Sequence, residues 1–399
     1  MRFKPYPNPI SMLKSNCKEH DFIHNGLTNL SLTKETQHNN LKIKTKLYEH
    51  QEQALNFLKT KFDSELKGAL IDIPMGFGKT LIVLLFFQYA SKSCEKTMLF
   101  LTKQDVVSHI KSEIKKYLPS FLHKFISVKP YSYMKSSESA DIIVLDESHE
   151  IYTKKKIISN CQEKFKNAFK ILLSGSTGSH REQQLQWNNL VCKESEIIIF
   201  KSDKLSNVVN NVDEQILSFD MTETESTMYT LKKNKIQSLS KGLEIMHSMR
   251  SLREWLASLK VKHLVLLLNR ALKETDEKIV VFSNFNSILQ SLRLELPADK
   301  IANAYASTPK KREHEIQLFK ADKRILLVST NLSSHGLDLG HSKFLVHVEP
   351  PWTGVTQKQA NARIVRIGQK ENQEIFVLVM KETLESKLLA SNLQKVLEI

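Results

Sequence analysis

Residues 71–80, with the sequence IDIPMGFGKT, have the composition and spacing of a phosphate-binding loop. They follow a short apolar run that predicts a strand, and they lead into residues 81–89, an apolar stretch that predicts a helix. This strand, loop and helix context lets backbone N–H groups cradle a phosphate. The residues predicted to contact a nucleotide are Met75, Gly76, Phe77, Gly78, Lys79 and Thr80.

The glycines and polar side chains of this loop have predicted roles. Gly76 and Gly78 would let the backbone approach the phosphates closely, because neither carries a Cβ. The ammonium group of Lys79 would reach the β- and γ-phosphate oxygens, and the hydroxyl of Thr80 would bind Mg²⁺. The alternative is a glycine turn that merely caps a helix, but its position directly after a strand favours ATP and Mg²⁺ as ligands.

A second set of residues could complete this chemistry. Residues 142–149, IIVLDESH, predict a buried strand that ends in two carboxylates, and ligands bind at the carboxyl ends of such strands. Asp146 would bind Mg²⁺, directly or through water, and Glu147 would orient and deprotonate the attacking water. An acidic pair at a strand end is otherwise a solvated turn or a helix cap, so this assignment depends on Lys79.

The elements that would position these residues form an α/β pattern. Apolar, strand-like runs alternate with helix-like stretches, which indicates parallel sheets covered by helices on both faces. The runs cluster in two parts of the chain and predict two α/β lobes. They cover residues 69–74, 98–102, 142–146 and 171–174 in the first part, and residues 278–283, 325–329, 344–348 and 375–380 in the second.

The composition favours a polyanionic partner inside the cell. The formal net charge is +15 and the isoelectric point is about 9.4, which suits nucleic acid. The longest apolar run, residues 81–87, is too short to cross a bilayer, and the N-terminal sequence lacks a signal-peptide core. We therefore expect no membrane association. The cysteines lack metal-ligand spacing and are expected to be reduced thiols: Cys17, Cys94, Cys161 and Cys192.

The order of the motifs over about residues 47–389 resembles helicase superfamily two, and in particular its Swi/Snf branch. DESH is similar to the DEAH or DEGH box, and LLSGST at residues 172–177 resembles the LSGTP segment. VVFSNF at residues 280–285 resembles the IFSQF strand. QANARIVRIGQ at residues 359–369 is similar to the QAxDRxHRIGQ signature of the Swi/Snf branch. The resemblance implies two tandem RecA-like lobes, with ATP in the cleft and nucleic acid across both lobes.

The same resemblance implies further site residues. Gln51, in LYEHQ, matches the glutamine that reads adenine, although an exposed helix residue is the alternative. Arg366 matches the arginine finger and Arg363 its partner, on a predicted helix that would turn both toward one cleft. Without this motif the two arginines would be ordinary solvated surface. Residues of STNLSSHGLDL match positions that touch nucleic-acid phosphates, unless they are ordinary strand-end residues: Ser329, Thr330 and Gly336.

Four segments are predicted. Residues 1–40 are predicted to form a poorly ordered arm, and residues 41–205 to form lobe one with the phosphate loop and the DESH box. Residues 206–269 are predicted to form a linker and a short helical insertion at the start of lobe two. Residues 270–399 are predicted to form lobe two with the arginines. Some residues depart from the family pattern. Thr102, for example, stands where the first nucleic-acid motif usually has proline.

These observations support three functional hypotheses. The first is a DNA-stimulated ATPase that translocates on duplex DNA and remodels protein–DNA complexes. It would be a minimal enzyme of viral type that works with transcription or replication machinery. It would act inside the cell, in the nucleus or in a viral replication compartment of the host cytoplasm. The second is a strand-separating DNA or RNA helicase, or a viral transcription-release ATPase. The third is a non-catalytic clamp that binds nucleic acid.

Overall fold

The computed structural model describes most of the chain from residue 46 to residue 397. The described ranges are 46–64, 68–92, 94–133, 139–148, 155–175, 195–199, 212–240, 242–305, 308–334, 337, 339–366, 369 and 371–397. The predicted arm at residues 1–40 lies outside these ranges, as do Ser176, Thr177 and Gly336.

Lobe one is a six-stranded parallel sheet with helices against its faces. The strand order is β3-β2-β4-β5-β1-β6, so the strands that precede the phosphate loop and the DESH box are separated only by β5. The strands are β1 (Gly68–Asp72), β2 (Met98–Thr102), β3 (Ile126–Pro130), β4 (Ile142–Leu145), β5 (Phe169–Ser174) and β6 (Ser195–Ile199). The helices are α1 (Glu49–Asp63), α2 (Lys79–Ala90), α3 (Val107–Tyr117) and α4 (Lys155–Glu163).

The core of lobe one explains why the phosphate loop is held firmly. Every residue of β1, β2, β4 and β5 is buried, as expected for a parallel sheet covered on both faces. Helix α2 is apolar around most of its circumference and is buried along nearly its whole length, which makes it a central helix. The loop between β1 and α2 therefore connects two buried elements, and its ends have little freedom to move.

Lobe two is a second six-stranded parallel sheet, with the order β7-β12-β11-β8-β10-β9. Its strands are β7 (Val212–Phe219), β8 (Ile279–Ser283), β9 (Ile301–Asn303), β10 (Ile325–Ser329), β11 (Phe344–His347) and β12 (Gln373–Met380). Its helices are α5 (Glu223–Gln237), α6 (Gly242–Glu274), α7 (Asn286–Glu295), α8 (Pro309–Ala321), α9 (Gly354–Asn361) and α10 (Leu384–Leu397). The predicted α/β class, with two sheets flanked by helices, is confirmed.

The boundary predicted at residue 270 needs correction. Strand β7 lies within residues 206–269, predicted as linker and helical insertion, yet it pairs along its whole length with β12. Lobe two therefore begins no later than Val212. Its mixed sequence, VDEQILSF, suits an edge strand that is buried mainly toward its C-terminal end. The predicted helical segment corresponds to α5 and α6, but α6 extends to Glu274.

Helix α6 contributes a buried stripe to lobe two. Its buried residues recur at four-residue intervals, as an amphipathic helix requires: Leu252, Leu256, Lys260, Leu264 and Leu268. A lysine therefore occupies one position of an otherwise apolar stripe. Among the helices that the structure describes, none is both long enough and apolar enough to cross a membrane.

Candidate nucleotide-binding cleft

The phosphate loop lies between the carboxyl end of β1 and the start of α2. Gly76 and Gly78 have φ angles of 84° and 82°, in the left-handed region that L side chains rarely adopt. A Cβ on Gly76 would lie 2.9 Å from the carbonyl oxygen of Val365, and a Cβ on Gly78 would lie 2.3 Å from Nε2 of Gln51. Both positions therefore require glycine for conformation, and Gly76 also requires it for space, because its neighbour is a backbone atom.

Lys79 is held at the base of this loop. Its Nζ donates a hydrogen bond of 2.8 Å to the carbonyl oxygen of Ile73, and its side chain is only 9% exposed. Gly175, directly after β5, leaves room for the ammonium group, because a Cβ there would lie 2.7 Å from Nζ. A lysine fixed in this way presents its charge to the loop, which suits the predicted contact with phosphate oxygens.

The acidic pair follows β4, two strands away from β1. Oδ2 of Asp146 accepts a hydrogen bond of 2.8 Å from the hydroxyl of Thr102. Burial and the neighbouring Glu147 carboxylate raise the pKa of Asp146 to about 6, although Thr102 and Lys79 both act to lower that pKa. Glu147 has a φ angle of 50°, an unfavourable conformation for a residue with a side chain. Strain of this kind is common where a side chain must point into a site.

One cavity brings the predicted nucleotide residues together. It has a volume of about 320 Å³ and is lined by residues of both lobes. The predicted residues that line it are Gln51, Met75, Gly76, Gly78, Lys79, Thr80, Asp146, Glu147, Arg363 and Arg366. Phe77 is the exception, since it packs partly against the core of lobe one. The sequence did not single out several further lining residues, among them Tyr48, His109, Glu113 and Tyr117.

The two arginines reach this cavity from lobe two, but not from a helix. Helix α9 ends at Asn361, so the prediction that Arg363 and Arg366 share a helix is wrong. After Asn361 the chain forms tight turns, in which the N–H of Arg363 donates to the carbonyl oxygen of Ala360. Nη2 of Arg366 donates a hydrogen bond of 2.6 Å to the carbonyl oxygen of Leu337. The turns, rather than helical spacing, aim both side chains at the cleft.

Gln51 connects helix α1 to the phosphate loop. Its Oε1 accepts a hydrogen bond of 3.2 Å from the N–H of Tyr48, and its Nε2 donates one of 3.3 Å to the carbonyl oxygen of Phe77. Nε2 of His50 also lies 3.1 Å from that carbonyl oxygen. Gln51 lines the cavity, as expected for a residue beside the nucleotide, and its contact with adenine stays a prediction.

The oxygen ligands that line the cleft fit Mg²⁺. The Thr80 hydroxyl and the Asp146 carboxylate offer hard oxygen ligands, which Mg²⁺ prefers, and both residues line the same cavity. Within the described residues, no group of three or more His, Cys, Asp or Glu side chains could hold a metal ion. A Mg²⁺ ion at Thr80 and Asp146 would therefore take its remaining ligands from phosphates and water, which is its usual mode in nucleotide sites.

Two of the three predicted nucleic-acid contacts can be located. Ser329 is the last residue of β10, and Thr330 begins a one-turn 3-10 helix. Both side chains are almost fully buried, with 8% and 2% exposed. Gly336 lies outside the described residues. These contacts stay predictions.

A polar network behind the arginines was not predicted from the sequence. Glu214 of β7 accepts hydrogen bonds from Nε2 of Gln357 and, at 3.4 Å, from Nδ2 of Asn361. Nε2 of His347 donates a hydrogen bond of 2.9 Å to Oδ1 of Asn361. The network ties α9, which leads directly to Arg363, to two strands. No local sequence signal reveals it, because β7 is more than 140 residues away along the chain.

Two protein families match this chain. The family described as "Type III restriction enzyme, res subunit" matches residues 44–132, which contain the phosphate loop. The family described as "Helicase conserved C-terminal domain" matches residues 259–368, which contain both arginines. Both matches support the resemblance to helicase superfamily two. The predicted order of the motifs over both lobes is consistent with these two matches.

A solved structure and two curated proteins give the range of this similarity. The crystal structure of the Hef helicase domain of Pyrococcus furiosus matches with a TM-score of 0.59 at 16% identity. The match covers 86% of this chain and 98% of the Hef domain, and it confirms the fold of tandem RecA-like lobes. "ATP-dependent helicase ULS1" of Saccharomyces cerevisiae is 26% identical over 51% of this chain and 12% of its own length. "Uncharacterized ATP-dependent helicase MG018" of Mycoplasma genitalium is 20% identical over 88% of this chain and 41% of its own length. The chain thus spans less than half the length of these two helicases from Saccharomyces cerevisiae and Mycoplasma genitalium.

Proposed function

We propose that this chain is an ATP-dependent nucleic-acid motor that hydrolyses ATP in the cleft between its lobes. The observation that supports this proposal is a single cavity lined by charged residues of both lobes: Lys79, Asp146, Glu147, Arg363 and Arg366. Phosphoryl transfer depends mainly on positioning and on neutralising charge at the phosphate oxygens. A cavity with a lysine, an acidic pair and two arginines supplies the groups that this chemistry needs.

Each group has a role in the proposed reaction. Lys79 binds the β- and γ-phosphate oxygens, and the N–H groups of the phosphate loop hold the remaining phosphate oxygens. Thr80 and Asp146 would hold Mg²⁺, which when bound neutralises phosphate charge. Glu147 orients the attacking water and accepts its proton. Arg363 and Arg366 stabilise the charge on the transferred phosphoryl group from the other side.

Hydrolysis in this site would depend on the distance between the lobes. The lysine and the acidic pair belong to lobe one, whereas the arginines belong to lobe two, so the charges are complete only when the cleft is closed. Closing and reopening the cleft would then move the lobes relative to a bound polymer. This is a domain-closure cycle driven by a ligand, and it converts hydrolysis into movement.

We infer that the polymer is duplex DNA. The net charge of +15 favours a polyanion, and residues 359–369 resemble the signature of the Swi/Snf branch of DNA translocases. Binding through phosphates would show little sequence preference. The proposed outcome is translocation that remodels protein–DNA complexes, in the nucleus or in a viral replication compartment, alongside transcription or replication machinery.

Two other functions remain as competing proposals. A strand-separating helicase or a viral transcription-release ATPase would use the same nucleotide chemistry and would differ in the polymer that stimulates it. A non-catalytic clamp would bind nucleic acid without turnover. The presence of Lys79, Glu147 and Arg366 in one cavity argues against the clamp, because loss of catalysis usually removes one of these charges.

The decisive measurement is ATP hydrolysis by the purified chain, alone and with duplex DNA, single-stranded DNA or RNA. We expect stimulation by duplex DNA, and we expect Lys79→Ala and Arg366→Ala each to lower turnover by about 1000-fold, a typical effect of removing such a charge. Lys164→Ala and Arg270→Ala are matched controls, since both side chains are exposed. Stimulation by single strands or RNA alone would favour the second hypothesis, and absence of turnover would favour the clamp.

A further inference from the structure

Asp146 is held by hydrogen bonds on three sides. Its N–H donates to the carbonyl oxygen of Leu101 at 3.0 Å, which continues the pairing of β4 with β2. Its carboxylate Oδ2 accepts the hydroxyl of Thr102 at 2.8 Å. Its carbonyl oxygen accepts the phenol hydroxyl of Tyr131. Thr102 and Tyr131 are 1% and 7% exposed, so solvent competes little for these bonds.

These contacts fix both the side chain and the next peptide unit. The bond from Thr102 to Oδ2 restricts rotation of the Asp146 carboxylate and so favours one orientation of its two oxygens. Tyr131 holds the peptide group between Asp146 and Glu147. That peptide precedes the left-handed φ of 50° at Glu147, a conformation that persists only where surrounding contacts impose it.

The residue at position 102 distinguishes this chain from the family that it resembles. The first nucleic-acid motif usually has proline at the position of Thr102, and proline has neither a hydroxyl nor an N–H to donate. The chain therefore has a hydrogen-bond donor at the end of β2, beside the acidic pair. This donor is directed at the carboxylate rather than at the surface of the lobe.

We propose that Thr102 and Tyr131 are positioning residues of the nucleotide site. Thr102 orients the Asp146 carboxylate toward Mg²⁺, and Tyr131 holds the peptide that turns Glu147 toward the attacking water. This proposal rests on the proposed function, because it assigns these residues to the site that would bind ATP with Mg²⁺. Both act through the acidic pair and neither needs to touch the nucleotide.

The same pair of strands contains a matched control. At the other end of β2 and β4, the Thr97 hydroxyl donates to Oδ2 of Asp141, also at 2.8 Å. Thr97 precedes β2 as Thr102 ends it, and both threonines bond to an aspartate 44 residues later. The Thr97 pair is exposed and lies at the amino ends of the strands, away from the cavity. Its loss therefore shows whether removing any threonine–aspartate hydrogen bond between these two strands changes the dependence on Mg²⁺.

The test measures binding rather than turnover. A fluorescent ADP analogue is titrated into wild-type protein and into the Thr102→Val, Thr102→Ser and Thr97→Val variants, without Mg²⁺ and over a range of Mg²⁺ concentrations. We expect Thr102→Val to raise, by about tenfold, the Mg²⁺ concentration at which Mg²⁺ has half of its full effect on analogue binding. Loss of a charge-assisted hydrogen bond predicts a change of this size. Binding without Mg²⁺ should not change. Thr102→Ser should remain within about twofold of wild type, because serine keeps the hydroxyl.

Tyr131→Phe tests the second half of the proposal. We expect kcat to fall about tenfold while the dependence on Mg²⁺ stays close to wild type, since only the position of Glu147 changes. Melting temperatures of all variants are recorded, and Thr102→Ala replaces Thr102→Val if the valine variant does not fold. A Mg²⁺ dependence that is equal in Thr102→Val and Thr97→Val would overturn the role of Thr102. A kcat for Tyr131→Phe equal to wild type would overturn that of Tyr131.

The wild-type titration separates this inference from the proposed function. If wild-type protein shows no Mg²⁺-dependent binding of the nucleotide analogue, the proposed function fails and the positioning roles fail with it. If wild-type protein binds with Mg²⁺ and Lys79→Ala does not, the proposed nucleotide site is supported. The comparison between Thr102→Val and Thr97→Val then decides the role of Thr102, and the kcat of Tyr131→Phe decides that of Tyr131.

Discussion

The two lobes bury ionisable side chains in different surroundings. In lobe one, Lys79 and Asp146 line the cleft, where a bound nucleotide and its cation would complete their interactions. In lobe two, Lys260 and Glu385 are fully buried and bond to each other, with Nζ 2.8 Å from Oε2. These two side chains do not line the cleft. The first two side chains face the cavity between the lobes, whereas the second two form an ion pair inside lobe two.

The loop that follows β11 in lobe two is also held by buried ionisable groups. Glu349 accepts hydrogen bonds from Ser283 and Asn284, and burial raises its pKa to about 7. Arg253 is fully buried, donates to the carbonyl oxygen of Pro350 and lies 4.0 Å from the ring centre of Trp352. A shifted pKa or a buried charge therefore does not by itself mark a ligand site. In lobe two such groups hold the loop that leads into α9 and the arginines.

The largest expected effect comes from breaking the buried pair of lobe two. Lys260→Met leaves Glu385 charged, buried and unpaired, and should lower the free energy of unfolding of lobe two by about 3–5 kcal/mol. The double variant Lys260→Met/Glu385→Leu should recover much of this loss, because neither charge is then buried. Hydrogen exchange of lobe-two amides in urea measures the effect where it arises.

The matched control is an exposed pair on the same helix. Nε of Arg270 lies 2.7 Å from Oε1 of Glu274, with side chains 73% and 57% exposed. Arg270→Ala should change the free energy of unfolding little, because solvent screens an exposed ion pair. If Lys260→Met were no more costly than Arg270→Ala, the buried pair would not stabilise lobe two.

A second prediction concerns the stability of lobe two at acidic pH. Burial lowers the pKa of His347 from 6.5 to about 4, so the unfolded chain binds a proton at a pH where the folded chain does not. The stability linked to His347 is thus present above pH 6.5 and is lost as the pH falls toward 4. The loss should reach about 3 kcal/mol. His347→Gln, which keeps an N–H donor, should remove this part of the pH dependence.

Urea unfolding of lobe two at several pH values between 6.5 and 4 tests this prediction. His247→Gln is the control, because His247 is exposed on α6. The pH dependence of the control should equal that of wild type. A wild-type profile parallel to that of His347→Gln throughout this range would show that His347 does not resist protonation in the folded chain.

Lobe one was the easier lobe to predict because its chemistry is local in sequence. The phosphate loop and the acidic pair each follow a buried strand, so apolar runs and motif spacing together placed Lys79 and Asp146. Strands β2 and β10 have the predicted bounds. Strands β3, β6, β7 and β9 were not predicted. Strand β7 contains charged residues, and β9 has only three residues, so neither gives a clear apolar run.

The remaining errors have non-local causes. Residues 359–369 contain no proline or glycine before Gly368, so their sequence gives no reason for α9 to end at Asn361. The helix ends because the turn bonds of Arg363 and Ile364 replace the helical pattern there. Lys260 lies in an apolar stripe because its partner Glu385 is 125 residues later. Periodicity within one segment cannot reveal such a partner.

The smallest expected effect concerns the link between β7 and the arginines. Glu214→Gln keeps the shape of the side chain but places an amide where two donors, from Gln357 and Asn361, converge. One hydrogen bond should be lost, at a cost of about 1 kcal/mol. Because α9 leads directly to Arg363, we expect kcat for ATP hydrolysis to fall about fivefold with little change in melting temperature.

Asp213→Asn, at the exposed neighbouring position, should behave as wild type. Equal kcat values for the two variants would mean that β7 stabilises lobe two without positioning the arginines.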